Sequence, residues 1–198
     1  MCSAKTSIFL VRHGETEWNQ QNRLQGNLNS PLTIAGIQQA NDVKKMLDQY
    51  EIHQAYVSPL KRARETVSII LDDRKLDPII LDGLREISLG PWEGKTREEA
   101  ALSHPDEYCN FWEKPETFGL SGAETFRQLQ HRIVETLELI FSKGAGNNIL
   151  VVSHWIAIKV ALAHYMSTPL SLLSNITDPR NGAFLQLTRQ GNTVSIRQ

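Results

Sequence analysis

The chain has 198 residues, of which 40% are apolar and 22% are charged, which suits a globular protein and excludes a collagen, a coiled coil or a disordered chain. A formal net charge of −1 provides no overall basic field, so neither nucleic acid nor an anionic membrane is expected as a partner. Two cysteines are too few for a disulfide framework, and the first segment is polar, which together predict a reduced, cytoplasmic protein. The most apolar stretch, 156–163, is too short to cross a bilayer.

Apolar patterning predicts an α/β fold. Strand-length runs that do not alternate with polar residues, as in parallel strands covered on both faces, lie at 7–11, 55–57, 78–81 and 149–152. Apolar residues at helical spacing lie at 34–47, 60–71 and 126–140. An antiparallel hairpin is predicted from 182–188 and 193–196. We expect three layers, with a mostly parallel central sheet, helices on both faces and this hairpin at one edge.

Two helix starts are predicted from local signals. Ser58 offers a capping hydroxyl before Pro59 at the first helical position. Ser121 and Glu124 have the spacing of a capping box.

The segment 88–123 has no strand signal but holds five of the fourteen aromatic residues. They are Trp92, Tyr108, Phe111, Trp112 and Phe118. An insertion that packs its own small core and a lid over a site both agree with this composition. We expect one domain over 1–198 with this segment as a small lid-like insertion.

Two histidines lie just past predicted core strands, each after one intervening residue. His13 follows the run 7–11 and is flanked by Arg12, and His154 follows the run 149–152. Because ligands collect beyond the carboxyl ends of parallel strands, these two positions are candidates for a site. The other histidines lack such a position and are interpreted as ordinary surface or core residues: His53, His104, His131 and His164.

Arginines accompany these histidines. Arg12 and Arg62 offer planar donor forks suited to phosphate, and Arg62 lies at the opening of a predicted helix. Two guanidiniums and a second imidazole neutralise a phosphoryl group without a metal, and a neutral imidazole can attack it. Glu86 follows the third predicted strand and is a candidate general acid, although by position alone it could be a surface residue, as could Arg62. Zinc is disfavoured because no Cys-x-x-Cys, His-x-x-x-His or carboxylate cluster accompanies either histidine.

Spaced sequence blocks extend over almost the whole chain. They lie at 10–19 (LVRHGETEWN), 25–26, 30–33 with Gly36, 58–60 with Arg62, Ala63 and Thr66, 84–86, 92–94, 122–125 and 152–154. In content and order they resemble the histidine phosphatase superfamily, in its phosphoglycerate mutase-like branch.

The resemblance implies a metal-independent, two-step phosphoryl transfer. Its implied nucleophile is His13, and its implied proton donor is Glu86, which later acts as the base for water. The implied phosphate clamp consists of Arg12, Arg62 and His154.

The resemblance also implies a substrate pocket. Asn19 is implied as a phosphate ligand or an orienter of the pocket, and Gln25 and Gly26 as residues that reach the transferred group or the substrate. Trp155 stands where the family usually has glycine, and its indole either narrows the pocket, stacks on the substrate or packs in the interior. Two further departures from the family pattern concern loop geometry only. Ala123 stands where the family commonly has glycine, and Asn29 where it frequently has aspartate.

The resemblance is compatible with three functions, two of them enzymatic. Mutases need a pocket that excludes water and usually carry a basic cluster in a longer insertion, whereas the cations of region 90–125 are Lys95, Arg97 and Lys114. We therefore predict a histidine-type phosphomonoesterase that acts on a small phosphorylated metabolite through a phosphohistidine, with no metal and no cofactor. A cofactor-dependent phosphoglycerate mutase and a non-catalytic phosphate-ligand-binding protein are the alternatives, and a homodimer is left open.

Overall fold

One mixed sheet organises the protein, whose computed structural model describes residues 5–197. Its strands are β1 (Thr6–Arg12), β2 (Gln54–Val57), β3 (Ile79–Ile80), β4 (Asn148–Ser153), β5 (Phe184–Gln190) and β6 (Thr193–Arg197). Their order across the sheet is β3-β2-β4-β1-β5-β6. The first four strands are parallel, and β5 is antiparallel to both β1 and β6. The predicted α/β sheet with one antiparallel edge hairpin is confirmed.

Seven α-helices lie in the described residues. They are α1 (Glu17–Gln20), α2 (Ile34–Leu47), α3 (Lys61–Leu71), α4 (Arg97–Ser103), α5 (Pro105–Glu113), α6 (Phe126–Lys143) and α7 (Trp155–Tyr165). The three helices predicted from apolar spacing correspond to α2, α3 and α6. Within residues 5–197, no helix combines the length and the apolar character needed to span a membrane.

Successive residues of β1 serve opposite faces of the sheet. Ile8 and Leu10 belong to the core that includes the apolar faces of α6 and α7, whereas Phe9 and Val11 belong to the core beneath α2 and α3. All four side chains are fully buried. Because both faces are covered, the strand reads as a continuous apolar run, and helices cover both faces as predicted.

Both predicted helix starts are wrong by a few residues. Helix α3 begins at Lys61, and the Ser58 hydroxyl, three residues earlier, bonds a histidine instead of capping the helix. The capping box of α6 is formed by Thr125 and Gln128, whereas Glu124 forms an ion pair with Arg132. In both cases a tertiary partner competes successfully for the side chain that the local pattern assigns to a cap.

The segment 88–123 contains α4 and α5 and packs around Trp92. The Trp92 ring lies within 6.0 Å, centroid to centroid, of the rings of Tyr108, Phe111 and Phe118. Phe111 also contacts Phe126 at the start of α6, so this aromatic cluster is continuous with the core on the α6 face of the sheet. The segment therefore shares its core with the body of the protein.

Candidate active site

Two histidines meet at the carboxyl edge of the sheet. Strands β1 and β4 pair in parallel with Arg12 opposite Ser153, so the next residues, His13 and His154, lie side by side. Their ring centroids are 5.1 Å apart, and the two residues are 3% and 0% exposed. His13 lines a cavity of about 90 Å³, and the His154 ring packs against the His13 ring. The strand register brings the two candidate imidazoles together.

The hydrogen bonds of His13 define its tautomer. Its Nδ1 lies 2.7 Å from the carbonyl oxygen of Gly14, which can only accept, so Nδ1 carries the proton. Its Nε2 accepts a hydrogen bond from Arg62 Nε at 3.2 Å. Burial, together with the positive charges of Arg62 and Arg12, lowers the pKa of His13 well below the ordinary value of 6.5. The ring is neutral near pH 7, with a lone pair on Nε2.

His154 is held from the opposite side by a serine. Its Nε2 lies 2.7 Å from the Ser58 hydroxyl oxygen, which also accepts the backbone N–H of Leu60 at 3.3 Å. Burial and the charge of Arg62 lower the pKa of His154 well below its ordinary value, so this ring is neutral too. The bond permits either tautomer of His154, because a hydroxyl can donate to Nε2 or accept from it. The Nδ1 of the ring is buried and has no partner within residues 5–197.

Two buried guanidiniums complete the polar wall. Arg62 donates to the carbonyl oxygens of Leu28 at 2.5 Å and Gly26 at 2.8 Å, and Arg12 donates to that of Pro179 at 2.8 Å. The Nε of Arg12 is buried without a partner in the described part of the chain. Burial lowers the pKa of each arginine to about 10, so both stay charged at neutral pH. Buried cations without a directly bound carboxylate define a site for an anion.

Glu86 lies in the cavity wall at the start of α7. Its Oε1 accepts the backbone N–H groups of Ile87 at 2.9 Å and Ala157 at 3.1 Å, and its Oε2 accepts that of Ile156 at 3.1 Å. The residue that precedes the helix, His154, makes no capping bond with its side chain. Glu86 therefore satisfies the first N–H groups of α7 from a distant part of the sequence.

Three further candidate residues lie in the same wall. Asn19 Oδ1 accepts from the backbone N–H and the hydroxyl of Thr16, each at 3.0 Å. Gln25 Nε2 donates to the same hydroxyl at 2.7 Å, so its side-chain amide is committed to the protein. Gly26 has a φ of +49°, a backbone conformation that favours glycine, and its carbonyl binds Arg62. Gln25 and Gly26 therefore hold neighbouring wall residues in place, through Thr16 and Arg62 respectively.

The Trp155 indole also lines the cavity. Its Nε1 donates to Asp178 at 2.9 Å, and its ring centroid is 5.7 Å from that of Trp112. The guanidinium carbons of Arg12 and Arg97 lie 5.5 and 5.9 Å from the centroid of this ring. Trp155, which replaces the expected glycine, thus contacts both Arg12 at the end of β1 and Arg97 of α4.

Arg132 is a supporting residue that the sequence reasoning missed. Its guanidinium donates to the backbone carbonyls of Gly83, Arg85 and Glu86 and forms an ion pair with Glu124 at 2.7 Å. It therefore holds the loop that carries Glu86 against α6. Only the folded chain brings these partners together, so no sequence signal marks this residue.

The loop before β5 is a second missed support. Asn181 Nδ2 donates to the backbone carbonyl of His13 at 3.1 Å, next to the contacts of Asp178 with Trp155 and of Pro179 with Arg12. This loop, which lies late in the sequence, therefore supports three residues of the cavity wall: His13, Trp155 and Arg12.

The cavity wall is strongly cationic. In the described part of the chain it contains four arginines and one carboxylate, which are Arg12, Arg23, Arg62, Arg97 and Glu86. Residues 5–197 contain no group of three His, Cys, Asp or Glu side chains arranged to hold a metal ion. The fold and the cavity define an α/β protein with a buried site for a small anion.

Comparisons with known proteins identify the family. The histidine phosphatase superfamily (branch 1) matches residues 8–198. A metal-independent phosphoserine phosphatase of Arabidopsis thaliana is 36% identical over 155 residues, which cover 77% of this chain and 65% of that protein. The adenosylcobalamin/alpha-ribazole phosphatase of Escherichia coli is 30% identical over 165 residues, covering 82% of this chain and 80% of the relative.

Solved structures agree with the sequence relatives. YhfR of Bacillus stearothermophilus superposes with a TM-score of 0.93 at 35% identity, covering 96% of this chain and 95% of that one. The chain belongs to the histidine phosphatase superfamily, as the sequence blocks predicted. The alignment spans just under two thirds of the Arabidopsis phosphatase.

Proposed function

We propose that this protein is a metal-independent phosphomonoesterase that hydrolyses a small phosphorylated metabolite through a phosphohistidine. The observation that carries the proposal is the buried, neutral His13, whose Nε2 accepts a hydrogen bond from charged Arg62 and whose ring also feels the positive charge of Arg12. Membership of the superfamily and the phosphatases among its relatives support this activity. The cavity of about 90 Å³ favours a small metabolite over a phosphoprotein.

The proposed phosphate clamp consists of Arg12, Arg62 and His154. We assign the ring proton of His154 to Nδ1, with Ser58 donating to Nε2, so that the unpartnered Nε of Arg12 and Nδ1 of His154 are two buried donors that a phosphoryl oxygen would satisfy. Arg62 Nε donates to the lone pair of His13 Nε2, and when substrate binds this donor would pass to a phosphoryl oxygen and leave the lone pair free to attack phosphorus. Charge on the phosphoryl oxygens is thereby neutralised by groups already in place.

The proposed reaction has two steps. In the first, His13 Nε2 forms a bond to phosphorus while the ester P–O bond breaks, and the leaving oxygen takes a proton from Glu86. We assign this proton to Oε2 of Glu86, which accepts one backbone N–H where Oε1 accepts two. In the second, water loses a proton to Glu86 and attacks phosphorus, which releases inorganic phosphate and regenerates neutral His13.

The remaining roles of the wall are proposed as follows. Asn19 orients the pocket through Thr16 and offers its amide nitrogen to phosphate, since that nitrogen has no partner within residues 5–197. Gln25 and Gly26 act on the transferred group through the neighbours that they hold. Trp155 narrows the pocket beside the substrate.

The organisation of the chain completes the proposal. We propose one domain over 1–198, with the segment 88–123 as a lid, because Phe111, Trp112 and Arg97 of this segment line the cavity. A cytoplasmic location and a homodimer stay predictions from the sequence.

The direct test is hydrolysis of p-nitrophenyl phosphate by the purified protein in excess EDTA. We expect turnover to be unchanged by the chelator, because the proposed charge stabilisation comes from arginines. Turnover that EDTA abolishes and a divalent metal restores would contradict the metal-independent mechanism.

The same preparation separates the two alternatives. Tight phosphate binding without turnover of any phosphomonoester would favour the non-catalytic ligand-binding protein. Rapid conversion of 3-phosphoglycerate to 2-phosphoglycerate after priming with 2,3-bisphosphoglycerate would favour the mutase.

A further inference from the structure

The block 92–94 of the family pattern has no part in the proposed transfer of the phosphoryl group. Trp92 is fully buried, which fixes the backbone of the next residue, Glu93. Glu93 Oε1 accepts the backbone N–H of Leu89 at 3.1 Å, within the lid segment, and that of Asn27 at 3.0 Å. One carboxylate oxygen therefore joins the lid segment to a loop 66 residues earlier in the chain.

The loop that Glu93 holds is a tight turn over residues 25–28. The N–H of Leu28 donates to the carbonyl oxygen of Gln25 at 2.8 Å, and Gly26 between them has a φ of +49°. The Glu93 side chain packs directly on this glycine, because a Cβ at Gly26 would overlap the carboxylate. The carboxylate thus supports the tip of the turn both by packing and by a hydrogen bond.

The same turn orients Arg62. Its Nη2 donates to the carbonyl oxygen of Gly26 at 2.8 Å, and its Nη1 to that of Leu28 at 2.5 Å. Its Nε donates to His13 Nε2 at 3.2 Å, so each guanidinium nitrogen bonds a group other than Glu93. Burial lowers the pKa of Arg62 to about 10, and the negative charge of Glu93 opposes this shift. Glu93 therefore acts on the arginine through the turn and through its charge.

Backbone bonds hold the base of the turn independently of the Glu93 side chain. The N–H of Leu24 donates to the carbonyl oxygen of Lys95, and the N–H of Gly94 to that of Leu24, each at 2.8 Å. This pairing fixes the chain just before the turn and just after Glu93. Loss of the carboxylate should therefore release the tip of the turn without unfolding the lid segment.

We propose that Glu93 is a positioning residue for phosphoryl transfer, which holds the turn 25–28 in place so that its carbonyl oxygens aim the Arg62 guanidinium at the phosphoryl group. In the described part of the chain Glu93 does not line the cavity, so it acts through Arg62 and not on the substrate. This inference rests on the phosphate clamp of the proposed function. It also links the lid segment to the clamp, because a shift of the backbone at Glu93 would be transmitted to Arg62.

The test measures two quantities for each variant, the dissociation constant of inorganic phosphate by calorimetry and kcat for p-nitrophenyl phosphate. Glu93→Ala is expected to raise the dissociation constant and to lower kcat, each by about tenfold or more, because Arg62 loses its fixed direction. Glu93→Gln keeps a side-chain oxygen for the two N–H groups and should hold both quantities within about threefold of wild type.

Glu107 provides the matched control. It also accepts a backbone N–H of the lid segment, that of Gly119 at 2.9 Å, but in the described residues it lies outside the cavity wall. Glu107→Ala should leave the phosphate dissociation constant and kcat within about twofold of wild type. Equal losses in Glu107→Ala and Glu93→Ala would show that any disturbance of the lid segment weakens the site, and would overturn the assignment to Glu93.

A double-mutant cycle tests whether Glu93 acts through Arg62. In an Arg62→Ala background, Glu93→Ala should change kcat and the phosphate dissociation constant by less than about twofold, because the arginine that it positions is gone. Effects of the two substitutions that multiply in the double variant overturn the proposal, since Glu93 would then act independently of Arg62.

Thermal unfolding and amide hydrogen exchange separate misfolding from mispositioning. Glu93→Met keeps the length of the side chain and removes both oxygens, so it takes the place of Glu93→Ala if that variant does not fold. In either variant the Asn27 amide, which has lost its acceptor, should exchange faster than in wild type.

Failure of this inference is distinguishable from failure of the proposed function. An active wild-type protein whose kcat and phosphate affinity survive Glu93→Ala overturns the role of Glu93 and leaves the phosphatase proposal intact. A wild-type protein that binds phosphate without hydrolysing any phosphomonoester contradicts the phosphatase proposal, and weaker phosphate binding by Glu93→Ala would then still support the positioning of Arg62.

Discussion

The carboxyl edge of the sheet and the segment 88–123, which is proposed as a lid, line the same cavity, but they hold their side chains by different means. At the edge, His13, His154 and Glu86 are at most 8% exposed, and short hydrogen bonds orient each of them. In the lid, Arg97 and Trp112 are half-buried and are held by ring contacts. Hydrogen bonds fix the direction in which a side chain points, whereas ring contacts hold a side chain mainly through its buried area. Changes at the edge should therefore alter the chemical step, and changes in the aromatic cluster of the lid segment should alter stability.

The largest expected effect is at the edge. Replacing His13 by Ala should lower kcat for p-nitrophenyl phosphate by at least about 10³-fold, because the proposed nucleophile is lost. It should also abolish trapping of labelled phosphate on the protein in a rapid alkaline quench, which preserves the acid-labile P–N bond of a phosphohistidine. The matched control is His131→Ala, which removes an exposed histidine of α6. Label that persists on the His13 variant would show that another residue is the nucleophile.

The strongest expected effect on folding lies in the lid. Trp92 is fully buried and contacts four aromatic rings, so Trp92→Ala should lower the free energy of unfolding by about 3–5 kcal/mol. Urea unfolding followed by circular dichroism measures this loss. Leu102→Ala, at a residue of α4 that is 85% exposed, should change the same quantity by less than about 0.5 kcal/mol. Similar losses in the two variants would show that the lid lacks a specific core.

The two site histidines should also make stability depend on pH. Their folded-state pKa values lie well below 6.5, so as the pH falls through 6.5 the unfolded chain binds protons at these rings and the folded chain does not. Each ring then lowers the free energy of unfolding by about 1.4 kcal/mol per pH unit, until the pH reaches its folded pKa. Urea unfolding at pH 7.5, 6.5 and 5.5 measures the slope. His13→Asn should reduce that slope by about one proton, and an unchanged slope would contradict the neutral, buried state of His13.

The smallest expected effect concerns the serine behind His154. Ser58→Ala removes the bond to His154 Nε2 and frees the ring to adopt its other tautomer, so kcat should fall about tenfold. Ser58→Thr keeps the hydroxyl and should restore most of kcat. Phosphate affinity and the pH profile of kcat are measured alongside, because a purely structural serine would change the unfolding midpoint and neither of these.

The sheet and its site could be predicted from sequence because both follow from local patterns combined with one topological rule. The apolar runs at β1 and β4 mark strands buried on both faces, and adjacent parallel strands bring the residues after them to the same edge. The positions of His13 and His154 follow directly from this register. Their chemical roles are not tested by these positions and stay predictions.

What the sequence could not provide depends on contacts between distant segments. Ser58 carries a good capping signal, but its hydroxyl bonds His154, 96 residues away, and the helix starts without it. Arg132 contacts the loop of Glu86 from 46 residues away, and no helical or strand periodicity relates the two. The composition of segment 88–123 predicts an aromatic cluster. Only the folded structure shows that Trp112 lines the cavity while Trp92 is buried.

The bond between Glu86 and the start of α7 ties folding to the reaction. The same carboxylate that is proposed to move the proton also satisfies two N–H groups that would otherwise be buried and unpaired. A variant that lacks His13 would still use Glu86 to satisfy these two N–H groups at the start of α7. In a related sequence, a glutamate at this position is therefore weaker evidence of catalysis than a histidine at the position of His13.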